Sequence, residues 1–486
     1  MTLRTAVVRR WVAPVIALLG ACTLVVLTRV PLAEAGTTRP HLTLGTTGAD
    51  WPLYGANLAN TRTSPGGPPK AVVAGLRQAW RFDAKDGDFT GTPVLAGGRV
   101  FVGSNGANGT SSTQSPIRAL DEATGKVLWQ TQVAGPVNAS LAVVGGRVFV
   151  PVAKVGQPFV AALDAATGAL LWQTNVDNQT DADLYGSPVV ANGVVYQGWS
   201  ALFGELHDSN VNVRGGVAAF DATTGALRWH TFSVPPGFNG GGIWSTPAVD
   251  LGSGALYVGT GNAYHAPAAP TTDSILKIRL LDGAIVGHFQ ATANDVFNGT
   301  TSPAGPDFDF GASPNLVVGS GGTPAVGEGQ KSGDYWAVRR SDMQPLWHQQ
   351  LGPGSAVGGI LGSTAYDGSR IYGPITAPSY VWALAAMSGS LAWVSPVGDP
   401  VHWSPLSVSN GVAYSADSAG FVDAWDAATG VPMARVPLGV SAAPAASSPA
   451  DPAFGGVALA GGTVFADTGT QSTTGAVVAL RPAGTG

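Results

Sequence analysis

The chain has 486 residues, a length that a single all-β propeller can reach, so size forces no division into several domains. Its 68 glycines are about twice the share in an average protein, and only 11% of its residues are charged, a composition of short strands and tight turns rather than long solvent-facing helices. The net charge of −5 removes the basic footprint of a nucleic-acid binder, and the single cysteine, Cys22, excludes an internal disulfide, a four-cysteine zinc site and a C-x-x-C-H haem attachment.

At the N-terminus Arg4, Arg9 and Arg10 precede an almost wholly apolar run from Trp11 to Leu27, and Ala33-Glu34-Ala35 offers small residues where a signal peptidase reads. This pattern predicts an export signal over 1–35, a polar linker over 36–50 and one folded domain over 51–486. Cleaved secretion is the first reading. A membrane tether through the N-terminus is the second, either as a lipoprotein at Leu19-Gly20-Ala21-Cys22 or as an uncleaved anchor, the apolar run being about as long as the ~17 residues of a short span. Each option places the folded domain outside the cytoplasm.

From there one unit recurs. Its clearest copies run from Ala119 through Asp121, Thr124 and Gly125 to Trp129, from Ala162 through Asp164, Thr167 and Gly168 to Trp172, and from Ala219 through Asp221, Thr224 and Gly225 to Trp229. Weaker copies end at Gly287, Trp347, Trp393 and Ala434. Self-similarity at a period of roughly 40–60 residues signals a solenoid or a propeller. Each unit carries short apolar runs, such as Gly145 to Val150, and an Asp-x-x-Thr-Gly hairpin turn, in which Asp bonds its own backbone and Gly takes positive φ. The Trp after the turn is placed to pack between neighbouring blades. Inner strands are expected to start near Gly91, Val137, Tyr185, Gly242, Asp309, Gly359, Trp403 and Gly455, which makes an eight-bladed β-propeller. The last unit, ending at Leu480, lacks its Trp strand, and Gln78 to Phe82 is a Trp strand without three predecessors. The expectation is that the N-terminal strand closes the ring.

These repeats resemble the quinoprotein repeat of alcohol dehydrogenases dependent on pyrroloquinoline quinone (PQQ). Segments outside the repeat sharpen the resemblance toward the polyvinyl-alcohol-dehydrogenase-like branch: Trp51 to Gly55 with Asn60 to Pro65, Gly241 to Asp250, Tyr257 to Asn262, Asn294 to Asn298, Gly305 to Pro314, Gln330 to Gly333 and Gly358 to Ala365. The resemblance implies PQQ and Ca²⁺ as cofactors, an alcohol as substrate, secondary and polymeric alcohols in scope, and an external electron acceptor such as a cytochrome c. It implies Trp244 as the indole stacked on the quinone, with Lys331, Arg214 and, more weakly, Ser200 as further cofactor contacts. Asn262 becomes a Ca²⁺ ligand and Glu205 the nearest candidate for the metal-binding glutamate. Asp309 becomes the base that takes the substrate hydroxyl proton, with Asp307, two residues away, as the alternative. The chain departs from the family in having no vicinal cysteine pair, and spacing from Arg214 puts Asn210 where the methanol-oxidising relatives carry the metal-binding glutamate. The competing reading is a non-catalytic propeller that binds or scaffolds other molecules, since the repeat alone also builds such proteins.

Overall fold

The computed structural model describes residues 50–300, 304–396, 400–439, 453–469 and 474–483; the expected export signal and all of the expected linker but Asp50 lie outside them. Eight four-stranded antiparallel sheets account for nearly all of the regular structure. Seven are continuous in sequence and span 94–133, 142–175, 189–232, 248–290, 315–350, 365–394 and 407–437; these are blades 1 to 7. Blade 8 takes three strands from 458–482 and its outer strand from Leu76–Asp83. That strand pairs with Ala476–Pro482 in a register that sets Gln78 against Leu480 and Trp80 against Ala479, with a bulge between them.

The repeat motif explains how blades dock. Asp121 accepts hydrogen bonds from the backbone and the hydroxyl of Thr124, and Gly125 takes φ +71°. The turn then presents a bare Cα to the preceding blade. A Cβ at Gly125 would lie 2.5 Å from the Trp80 indole, and one at Gly168 would lie 2.6 Å from that of Trp129. Each indole N–H donates to a carbonyl of the same turn, Trp80 to Glu122 at 3.0 Å and Trp129 to Ala165 at 3.1 Å. The Trp thus packs its ring and satisfies its donor in one contact. Between the sheets lie the apolar clusters, built from the alternating inward residues of adjacent blades.

The inner strands begin at Val94, Ala142, Val189, Ala248, Asn315, Ala365, Ser407 and Ala458, three to six residues later than the sequence suggested. The intervening residues run as irregular chain and line the axis of the ring. The segment from Trp51 to Gly66 forms a strap across the inner strands. It exchanges backbone hydrogen bonds with Leu95, Val143, Val249, Leu316, Tyr366, Val408 and Gly462, one residue from every blade but the third. Arg62 anchors the strap. Its guanidinium is fully buried, donates to the carbonyls of Tyr54, Leu406 and Val457, and faces the rings of Tyr54 and Trp51 at 4.7 and 5.5 Å. Burial lowers its pKa to about 10, so it stays cationic at neutral pH, held by carbonyl dipoles and aromatic faces.

Candidate active site

In an antiparallel blade the start of the inner strand and the end of the second strand lie at the same end of the hairpin. Residues just before the first or just after the second therefore gather at one end of the axis. Trp244 precedes the inner strand of blade 4 and Asn262 follows its second strand. In blade 5 Asp309 precedes the inner strand and Lys331 follows the second. Ser200 follows the second strand of blade 3 and leads into a six-residue helix, Leu202–His207, that carries Glu205.

These side chains meet. Lys331 Nζ lies 2.7 Å from Asp307 Oδ1, 3.0 Å from Asp309 Oδ2 and 5.3 Å from the Trp244 ring centroid. Asp309 also accepts from Trp244 Nε1 at 3.1 Å and from the Asn262 backbone N–H at 2.8 Å. The Asn262 amide group donates to the carbonyls of Ala263 and Phe297, which fixes the side chain, while its Oδ1 has no partner. Glu205 Oε1 is likewise buried without a partner. Glu205, Asn262, Trp244, Asp309 and Ser200 line one enclosed pocket too tight for a water molecule.

The electrostatics are lopsided. Burial works against the Lys331 ammonium, but the charges of Asp309, Asp307 and Glu205 outweigh it and hold the group above its ordinary value. Burial, then the neighbouring charges of Asp309 and Asp307, raise the Glu205 carboxyl well above the usual range. Asp307 is raised by burial and then by Asp309. Two further carboxyls crowd the same place. Asp273, with neither oxygen partnered, is raised well above its usual value, and Asp295 is raised as well, in each case chiefly by burial and also by Asp309. A single ammonium thus faces five buried carboxyls, and four of the nearby oxygens, one each on Glu205 and Asn262 and both of Asp273, are orphaned. Such an environment fits a hard cation held by carboxylate and amide oxygens. Among the described residues no three His, Cys, Asp or Glu groups converge as a metal site, so Glu205 and Asn262 would share a cation with donors from outside the chain.

Above this pocket the ring encloses an axial cavity of about 470 Å³, walled in part by Tyr54, Asn138, Tyr185, Trp244, Trp403 and Phe454. Trp244 and Leu202 line both spaces. The indole lies on the bare Cα of Gly311, where a Cβ would stand 2.0 Å from it. The cavity thus has the aromatic wall that a flat conjugated cofactor needs. Among the described residues its polar lining is of hydroxyl, amide and backbone groups, with no charged side chain.

The structure does not bring Arg214 into this assembly. Its guanidinium donates to the Val234 carbonyl and lies 3.9 Å from the Phe232 ring centroid, and it lines neither space. Ser200 reaches the pocket wall, but its hydroxyl is committed to Asp183 at 2.5 Å. Asp183 also accepts from the Phe203 N–H, which pins the start of the helix that carries Glu205. Sequence reasoning missed Asp183 and Asp273, since a lone Asp beside a turn carries no local mark of burial. Asp295 stands in a segment singled out for its resemblance, which was the available signal.

Residues 113–288 match the protein-family model described as outer membrane protein assembly factor BamB. Polyvinylalcohol dehydrogenase of Sphingopyxis sp. (strain 113P3) is 28% identical over 463 residues, covering 82% of this chain and 69% of the relative. A polyvinylalcohol dehydrogenase of Pseudomonas sp. is 27% identical, covering 73% of this chain and 61% of the relative. Among solved structures, a europium-containing methanol dehydrogenase superposes with a TM-score of 0.73 at 18% identity, over 90% of this chain and 98% of that one. BamB from Moraxella catarrhalis superposes less well, with a TM-score of 0.56 at 13% identity, over 85% of this chain and 99% of that one. The structural likenesses show the eight-bladed fold alone; by sequence the chain is a homologue of polyvinylalcohol dehydrogenases at 27–28% identity.

Proposed function

We propose that the chain is an exported dehydrogenase that oxidises an alcohol, secondary and polymeric alcohols in scope, with PQQ and Ca²⁺, and passes the electrons to an external acceptor such as a cytochrome c. The observation that carries this reading is the convergence of Trp244, Asn262, Glu205, Asp309 and Lys331 from three blades at one end of the axis. Residues 1–35 serve as export signal or anchor and 51–486 as the catalytic propeller.

Asn262 Oδ1 and Glu205 would hold the Ca²⁺, and the Trp244 ring would stack on the quinone in the axial cavity. When bound, the quinone supplies a two-electron acceptor for hydride and the cation Lewis acidity at its carbonyl. The rest falls to the chain. Asp309 takes the proton of the substrate hydroxyl as hydride leaves the carbinol carbon. Lys331, Trp244 Nε1 and the Asn262 N–H fix both oxygens of Asp309 and keep them aimed.

A second reading, a propeller that binds or scaffolds without catalysis, draws on one observation: Arg214 is turned away, so among the described residues no side-chain cation of the cavity wall is left to clamp the cofactor carboxylates. Purified protein incubated with PQQ and Ca²⁺ decides between the two. Alcohol-dependent reduction of a dye across primary, secondary and polymeric alcohols is expected; none, with cofactor supplied, would establish the scaffold reading.

A further inference from the structure

A second group of buried oxygens sits at the seam where blade 8 meets blade 1, on blades that give nothing to the Lys331 cluster. Asp467 ends the second strand of blade 8, and Asp88 lies just before the inner strand of blade 1. The two segments touch, since the Phe89 N–H donates to the Thr468 carbonyl at 3.2 Å. Asp467 is fully buried, and neither of its carboxylate oxygens has a hydrogen-bond partner. Asn105 is also fully buried. Its amide nitrogen donates to Asp88 Oδ1 at 3.1 Å, and its Oδ1 is unpartnered. A fourth oxygen is close: a Cβ placed on Gly455 would lie 1.8 Å from Asp467 Oδ1 and 2.9 Å from the Gly91 carbonyl. Glycine at 455 is what lets this carboxylate occupy its position.

We propose that Asp467, Asp88 and the Asn105 side-chain oxygen, with the Gly91 carbonyl, form a divalent-cation site of calcium type that clasps the ring at its closing seam. The donors are all hard oxygens from three stretches of chain, two of them carboxylates and two neutral, the mixture that suits Ca²⁺ rather than a softer metal. An orphaned buried carboxylate with no cation beside it is otherwise hard to account for, because desolvating it is expensive unless it is paired or coordinated. Burial, and then the charge of Asp88, raise the Asp467 carboxyl well above its ordinary value. The rival account is that Asp467 simply stays protonated.

Calcium counting on the full-length chain separates the two. Chelator-stripped protein is dialysed at neutral pH against radioactive Ca²⁺, without quinone. The Glu205→Gln variant is expected to retain one equivalent, and the Glu205→Gln/Asp467→Asn double variant none. Asn105→Asp adds a carboxylate to the set and should tighten that one site by about tenfold, as ligand charge tunes calcium affinity. The proposal is overturned if Glu205→Gln binds no calcium, if Asp467→Asn binds as much as the unaltered chain, or if Asn105→Asp weakens binding. Because the readout is metal bound at the seam, its failure is separate from a failure of alcohol oxidation.

Discussion

Asp309 shows how one carboxylate can be assigned a task by its contacts. Asp307 stands two residues before it and shares Lys331, but only Asp309 also touches the indole of Trp244, the backbone of Asn262 and the wall of the enclosed pocket. General-base catalysis supplies ~10²–10⁴-fold, so Asp309→Asn should lose that much kcat while the quinone still binds, read by absorbance of the retained cofactor; full activity would move the role to Asp307. Trp244 packs on Gly311 and is only half-buried, so Trp244→Ala should abolish cofactor retention and leave the circular dichroism of the sheets unchanged. Asp183 offers a pH test. Burial pushes its carboxyl up to about 6, against the hydrogen bonds from Phe203 and Ser200. The folded chain therefore binds this proton more tightly than the unfolded chain. Its contribution to stability is whole below about pH 4 and is lost as pH rises through about 6. Thermal melts of Asp183→Asn should fall less over that interval than those of the unaltered chain.

The unit of the element scale is the indole of one blade seated on the turn glycine of the next. Two places break the pattern, each for a physical reason. In blade 4 the Trp position is Gly287, and in blade 5 the turn position is Met343, which takes φ +57° where the other turns place glycine. A Cβ on Gly287 would meet Met343 Cγ at 2.8 Å, so the methionine fills from one side the space that the indole fills elsewhere from the other. The large and the small partner have changed blades. Gly287→Trp alone should overpack and destabilise by ~1–3 kcal/mol. Met343→Gly alone should leave a cavity and cost about 2–5 kcal/mol, less what is gained by relieving positive φ. The double variant should be more stable than the sum of the two, with a coupling energy of ~1 kcal/mol or more in a urea-unfolding cycle. Additive effects would refute the exchange. The other break is Ala434 in blade 7. Its neighbour, blade 8, takes its outer strand from the N-terminal side of the chain, so no hairpin turn exists there to receive an indole.

At the scale of the whole molecule, two N-terminal segments hold the ring. The strap hydrogen-bonds to seven blades, six of them through the inner strand, and Leu76–Asp83 completes the eighth. Blade 8 without that strand would expose the edge of Ala476–Pro482 and the apolar side chains packed beneath Trp80, among them Phe465. Removing residues 1–80 should therefore lower the thermal midpoint of the entire propeller in one cooperative transition. A fragment that melts like the full chain, apart from the loss of a small early step, would mean that the ring does not depend on its closure. The strap also reaches the axial cavity, where Tyr54 donates a hydrogen bond to the Ser363 hydroxyl in the wall.

The sequence by itself determined the blade. Period, turn chemistry and the Trp placement are local: an Asp-x-x-Thr-Gly turn forms from residues in contact along the chain, and seven copies of the unit with one split between the two ends of the chain imply a ring of eight. The unmatched strand 78–82 and the truncated last unit were legible in the same way, because each lacked what the other had. What the sequence left open depended on distances between blades. Glu205 could not be placed from its spacing, since an irregular helix after Trp199 sets where it points, and that helix is pinned by Asp183 from outside the segment. Arg214 matched its motif, yet the Val234 carbonyl and the Phe232 ring, both of its own blade, draw it off the axis. Asp273 and Asp467 are ordinary acidic residues until the fold removes their water. Burial, and with it the energy of a charge, belongs to the assembled ring and to no stretch of the chain alone.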